Sequence, residues 1–138
     1  MPNKLAIIFS DIKIQHTVFA LPFAVMSAFL AAGGLPETKK LVWIVVCMVG
    51  ARSAAMAFNR IVDFRFDMKN PRTQSRALPS GKIGVGNYWV FLIASSALFV
   101  VSAWMLNPLA FYLSPVALAI VFFYSLTKRF TAFSPFWL

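Results

Sequence analysis

Long runs without charge dominate the chain and fix its elements. From Thr17 to Leu35 no charged residue occurs. A helix needs about 20 mostly apolar residues to cross a bilayer, so this run predicts a first span over 17–35. Gly33, Gly34 and Pro36 end it, and Pro22 kinks its start by removing a backbone donor. A second span is predicted over 41–61. Its first half is purely apolar. Its second half, from Gly50 to Asn59, is rich in Ala, Ser and Gly, which lets neighbouring helices approach closely, and it carries Arg52. The charge-free stretch from Ile83 to Thr127 is too long for one span. Asn107-Pro108 is the natural break. A third span is then expected over 85–106 and a fourth over 109–127, bent at Pro115. Residues 62–84 form a polar loop between the second and third.

Composition agrees with this pattern. Hydrophobic residues make up 60% of the 138 positions, and the mean hydropathy is +0.77, above the 45–50% apolar content usual in soluble domains. The expected fold class is an all-α integral membrane helical bundle with the lipid bilayer as partner. No soluble domain or internal repeat is visible, so 1–138 reads as one unit. Thirteen basic and four acidic residues give a net charge of +9. In a soluble protein that balance would suggest nucleic acid; here no nucleic-acid partner is expected, because the charges sort by loop. Lys4 and Lys13 precede the first span. Arg60, Arg65, Lys69, Arg72, Arg76 and Lys82 cluster after the second, and Lys128 and Arg129 follow the fourth. The opposite face carries only Lys39 and Lys40, offset in part by Glu37. The positive-inside rule then places the N-terminus, loop 62–84 and the 128–129 end in the cytoplasm. Cys47 is the sole cysteine, so neither an intrachain disulfide nor a cysteine metal cluster can form. The Leu5–Phe9 patch is too short for a signal-peptide core and reads as an uncleaved, partly interfacial segment.

Chemistry concentrates in one stretch, NRIVDFRFDMKNPRTQSRALPSG, from Asn59 to Gly81. Asn59, Asp63 and Asp67 follow one another at four-residue intervals, so on a helix their oxygens line one stripe. Arg52, seven residues before Asn59, falls close to the same stripe. Two carboxylates on consecutive turns suit Mg²⁺, a hard cation usually held by one or two carboxylates plus phosphate oxygens. Arg65, Lys69, Arg72 and Arg76 can donate charge-assisted hydrogen bonds to the remaining phosphate oxygens. The plainer alternative is that Asp63 and Asp67 pair with Arg60, Arg65 or Lys69 on a solvated helix end, with the basic loop only setting topology. Arg52 weighs against it, since an arginine inside a span costs roughly 2.5–3.5 kcal/mol on the insertion scale and usually serves function. His16 reads more simply as an interfacial residue at the start of the first span than as a ligand contact. The tryptophans and phenylalanines read as anchors and lipid-facing packing.

The same string resembles the first aspartate-rich motif of the UbiA superfamily, N-x-x-x-D-x-x-x-D followed by R-T and R-x-L-P-S-G. IKIQHTVFALPFA near the start is similar to that family's first helix, and YSLTKRFT, Tyr124 to Thr131, to its pattern at the end of the fourth. The three matches occur in family order and cover nearly the whole chain. The resemblance implies an all-helical fold of about nine spans, of which four are present here, around a cavity open to lipid. It implies Mg²⁺-dependent transfer of a prenyl group from a polyprenyl diphosphate to an aromatic acceptor such as 4-hydroxybenzoate, in ubiquinone or menaquinone synthesis. Carried over residue by residue, Asn59, Asp63 and Asp67 match the metal- and diphosphate-binding positions, and Arg72, Lys128 and Arg129 match basic positions near the diphosphate. Asp63, Asp67 and Lys128 are the implied catalytic groups. Arg52, Asn59 and Tyr124 are weaker matches to acceptor-facing positions. A bacterial inner membrane is the implied location, with the active-site loops cytoplasmic.

Two features depart from the family pattern. Many members carry Asp after the motif's Asn, where this chain has Arg60; that form resembles the 4-hydroxybenzoate polyprenyltransferase-like branch. Members are also about twice as long, with a second aspartate-rich motif. The sequence therefore reads as the N-terminal portion of such an enzyme, with an inactive fragment or a non-enzymatic four-span protein as the alternative.

Overall fold

A computed structural model describes residues 3–127, apart from the side chains of 14–16. All regular elements among the described residues are helical: α1 (Lys4–Asp11), a 3-10 segment (Ile14–Ala20), α2 (Leu21–Ala32), α3 (Thr38–Asp67), α4 (Val85–Leu106) and α5 (Pro108–Thr127). Helices α3, α4 and α5 are each long and apolar enough to cross a membrane, and Thr17–Ala32 is a shorter apolar helix. The last two agree with the expected spans to within a residue at each end. Helix α3 extends six residues beyond the expected 61, to Asp67, because a membrane limit is not a helix limit: the polar turns from Val62 to Asp67 continue the ladder into the loop region. The first expected span, 17–35, divides instead. Pro22 lies in the first turn of α2, where its missing N–H is harmless, and the chain before it winds as 3-10 helix. Gly33, with φ 63°, then closes α2 in the left-handed conformation that glycine adopts without strain.

Helix α3 is the centre of the bundle. Gly50, Ser53, Ala54 and Ala57 are all buried and recur at the i, i+3, i+4, i+7 spacing of one helix face. That face meets α4 closely: a Cβ placed on Gly50 would lie 3.0 Å from the Phe99 backbone nitrogen. Close approach of backbones is what small residues supply where water gives no drive to association. Around this ribbon pack Tyr88, Phe91 and Leu92 of α4, with Ile8 and Ile12 from the N-terminal segment and Leu78 and Ile83 from the loop. Phe58 and Phe122 stack at 4.6 Å between α3 and α5. The N-terminal segment is thus two-sided. Ile8 is 1% exposed in this core while Leu5 is 51% exposed.

Candidate functional site

Helical geometry decides where the polar stripe of α3 points. Each four-residue step advances the azimuth by about 40°, so Asn59, Asp63 and Asp67 form a slanting line. Asn59 falls about 180° from the mean direction of the small-residue ribbon. Arg52 lies within about 20° of Asn59 and roughly 10 Å deeper along the helix axis. Asn59, Asp63 and Arg52 are accordingly half-buried, while Asp67, further round toward the loop, is buried. The Arg52 Nε is enclosed and has no hydrogen-bond partner among the described residues.

Loop 68–84 folds back over this end of α3. Arg76 Nη1 donates to Asp67 Oδ2 at 2.7 Å. The Thr73 hydroxyl donates to the Asp67 carbonyl oxygen at 3.1 Å. Successive turns, including Thr73 N–H to Asn70 O at 3.0 Å and Ser80 N–H to Arg76 O at 3.0 Å, hold the loop in shape. Gly81, with φ 73°, permits the turn into α4.

Beneath the loop lies a cleft of about 750 Å³, lined by Ser10, Asp11, Lys13, Arg60, Arg72, Thr73, Arg76 and Lys82 among others. Arg60 is neutralised by Asp11, with Nε donating to Oδ2 at 3.1 Å, and Arg76 by Asp67. Lys13, Arg72 and Lys82 have no carboxylate partner among the described residues, so the cleft presents uncompensated positive charge. Such a cleft attracts a multiply charged anion. The structure brings Arg72 together with Arg76 and Lys82 here, beside the Asp67 end of α3. Tyr124 is half-buried on the last turn of α5, where its carbonyl accepts the Thr127 hydroxyl at 2.9 Å. Lys128 and Arg129 lie outside the described residues, as does the side chain of His16.

No group of three or more His, Cys, Asp or Glu comes together among the described residues. Asp63 and Asp67 with the Asn59 carboxamide provide hard oxygen donors on consecutive turns. That set fits a cation which takes its other ligands from water and phosphate, and not one that needs a full protein cage.

The sequence with this helical frame matches the UbiA prenyltransferase family over residues 20–138. The chain belongs to the UbiA family. Its relatives include a 4-hydroxybenzoate octaprenyltransferase of Shewanella loihica, 36% identical over 77% of this chain and 37% of that protein. Another, from Pseudomonas aeruginosa, is 33% identical over 76% of this chain and 36% of that protein. An apo structure of a UbiA homolog from Aeropyrum pernix K1 superposes with a TM-score of 0.82 at 37% identity, over 88% of this chain and 44% of that one. The chain therefore covers less than half the length of these UbiA relatives.

Sequence reasoning passed over Asp11, which pairs with Arg60 at the edge of the cleft, and Tyr88, whose hydroxyl donates to Asp11. Asp11 was readable as one of only four acidic residues. Nothing in its spacing pointed to a partner 49 residues away. Arg60, read as the residue replacing a family aspartate, proves to be 7% exposed and turned toward the N-terminal segment.

Proposed function

We propose that this chain is the diphosphate-handling part of a Mg²⁺-dependent prenyltransferase that moves a polyprenyl group from a polyprenyl diphosphate to an aromatic acceptor of the 4-hydroxybenzoate kind. The observation that carries the reading is an uncompensated basic cleft whose Arg76 bonds Asp67, at the end of the Asn59–Asp63–Asp67 stripe, in a family of prenyltransferases. In this proposal Asn59, Asp63 and Asp67 hold Mg²⁺, which supplies Lewis-acid neutralisation of the diphosphate. Arg72 donates to the phosphate oxygens, and Lys128 and Arg129, next in sequence after Thr127, add charge. These fixed cations stabilise the negative charge that builds on the leaving diphosphate as its carbon–oxygen bond ionises. Arg52, deeper along the same stripe and with an Nε that lacks a partner among the described residues, is assigned to the carboxylate of an aromatic acid. Tyr124 is assigned a weaker role on the acceptor side. The apolar surroundings keep water from quenching an allylic cation before the ring attacks it.

The same proposal takes Thr17–Ala32 as the first of four spans. A 3-10 segment rises about 2.0 Å per residue against about 1.5 Å in an α-helix, so it gains reach from its irregular start. In this proposal the N-terminus and loop 68–84 face the cytoplasm, and the bacterial relatives favour a bacterial inner membrane. A quinone-precursor acceptor belongs to the same proposal, as does a complete bundle of about nine spans.

The test is prenyl transfer from geranyl diphosphate to 4-hydroxybenzoate in membranes carrying the protein, with and without Mg²⁺. Loss of product in Asp63→Ala at unchanged protein level is expected; full activity in that variant overturns the assignment. The coverage of the relatives favours a second reading, in which these residues bind the diphosphate without turning it over. Product formed by the purified chain alone excludes that reading.

A further inference from the structure

Loop 68–84 joins α3 to α4, both long and apolar enough to cross a membrane. The cleft beneath the loop therefore lies at one edge of the bilayer, since irregular backbone open to lipid is not tolerated in the hydrocarbon. Two of its cations are already answered. Arg60 pairs with Asp11, both side chains 8% exposed, and Arg76 pairs with Asp67. The Asp11 carboxylate also accepts from the Tyr88 hydroxyl at 2.6 Å and from the Ala77 N–H at 3.1 Å, which ties α1 to the loop. The charge that the cleft presents comes from Lys13, Arg72 and Lys82, all exposed. The prenyl transfer proposed above uses Arg72. It assigns nothing to Lys13 or Lys82, and Asn59, Asp63 and Asp67 do not line the cleft.

One wall of the cleft is α1, which contributes Ala6, Ile7 and Ser10. Directly after α1 the backbone turns through Lys13 at φ 51°, a conformation that a non-glycine residue adopts only when its neighbours hold it there. The Lys13 N–H donates to the Ser10 carbonyl oxygen at 3.2 Å, so Ser10 and Lys13 are kept within one turn of each other. The apolar residues of α1 divide. Ile8 is sealed in the core, whereas Leu5 is 51% and Phe9 37% exposed. The Phe9 ring meets the Phe91 ring of α4 edge-on at 5.4 Å. Trp89, near the start of α4, is 45% exposed. Open apolar and aromatic side chains thus stand beside the beginning of a membrane-crossing helix, with Lys82 three residues before it. The headgroup boundary of a bilayer selects this mixture, because the rings and aliphatic stems rest on acyl chains while the ammonium groups reach the phosphate layer.

We infer that the α1 side of this cleft, Ser10 with Lys13 and Lys82, binds the headgroup phosphate of an anionic phospholipid. The two lysines supply point charges, and the Ser10 hydroxyl supplies a neutral donor. A zwitterionic lipid is a poorer ligand, because its own ammonium group meets the same lysines. The exposed Leu5, Phe9 and Trp89 favour a lipid over a soluble phosphate, since they offer the acyl chains a surface that a free anion does not use. A headgroup held between Lys13 and Lys82 adds a second tie between the N-terminal segment and the loop, beside the bond from Ala77 to Asp11. The inference goes beyond the proposed prenyl transfer and stands or falls apart from it.

The test is native mass spectrometry of the whole chain in detergent, titrated with phosphatidylglycerol or with phosphatidylcholine. The wild type is expected to take up its first phosphatidylglycerol about tenfold more tightly than its first phosphatidylcholine. Lys13→Gln combined with Lys82→Gln changes only exposed side chains, and it is expected to bring that ratio to within about threefold of one. Lys39→Gln combined with Lys40→Gln removes the same charge from the other end of α3 and is expected to keep the wild-type ratio. A wild-type ratio near one overturns the inference. So does an unchanged ratio in the Lys13 and Lys82 variant, or an equal loss in the Lys39 and Lys40 variant. Calorimetric titration with pyrophosphate and Mg²⁺ supplies the second arm. If the Lys13 and Lys82 variant loses more pyrophosphate affinity than lipid preference, the two lysines serve the diphosphate and the lipid site is overturned. Absence of pyrophosphate binding by the wild type overturns the proposed function instead, and the lipid ratios still decide this inference.

Discussion

The two motif aspartates share a role in the proposed chemistry but not a structural environment. Asp63 is half-buried on the stripe facing away from α4, whereas Asp67 is 7% exposed, accepts from Arg76 and has its carbonyl bonded to Thr73. Asp63→Asn keeps the shape and one oxygen of the side chain, and it is expected to abolish prenyl transfer, by about 100-fold or more, with little change in thermal stability. Asp67→Ala is expected to lose activity and also about 1–3 kcal/mol of stability, since a charge-assisted hydrogen bond goes with it. Melting of the detergent-solubilised variants by tryptophan fluorescence checks the difference; equal stabilities would show that the Arg76 contact contributes nothing. Arg60→Ala leaves the buried Asp11 carboxylate without its counter-charge. A loss of about 3–5 kcal/mol is expected, the magnitude typical of breaking a sealed ion pair from one side. The same melting measurement reads it.

At the scale of elements, the bundle depends on the close crossing of α3 and α4. Gly50 has no room for a side chain: its added Cβ meets Phe99 N at 3.0 Å and Ser95 O at 3.2 Å, both backbone atoms that cannot rotate away. Gly50→Leu is expected to force the helices apart and destabilise the protein by at least about 1–3 kcal/mol. Gly86→Ala, at a position with nothing nearby, is expected to be neutral. Differential scanning of the two variants tests this; equal melting points would refute the packing argument. The helices themselves were legible from sequence where apolar length alone decided them, as in α4 and α5. The ribbon of Gly50, Ser53, Ala54 and Ala57 was legible as a small-residue face. The conversion of Ile14–Ala20 to 3-10 winding was not, because Pro22 signals an irregular start without saying which form it takes.

In the proposed topology most of the basic residues lie on the cytoplasmic side, the asymmetry on which the positive-inside rule acts. Glu37→Cys in a Cys47→Ser background is expected to react with an impermeant maleimide in intact cells. Ser80→Cys is expected to react only after the cells are opened. The reverse pattern would invert the proposed topology and move the cleft to the outer face. The candidate site is shared between distant parts of the molecule in the same way. Its stripe comes from α3, its cations from the loop, and its closest structural support from α1 and α4.

The sequence alone determined the helical class, three of the long apolar helices, the polar stripe and the basic loop. Periodicity, length and charge are local properties that survive without knowledge of what each helix touches. Tertiary structure alone decided that Arg60 turns to Asp11, that Arg76 turns to Asp67, and that Arg72 and Lys82 share a cleft with Lys13. A charged side chain has several carboxylates within a plausible sequence distance, and only folding selects one. Between buried groups that selection is strongly enforced, because any charge left without its partner in a dry interior carries a large desolvation penalty.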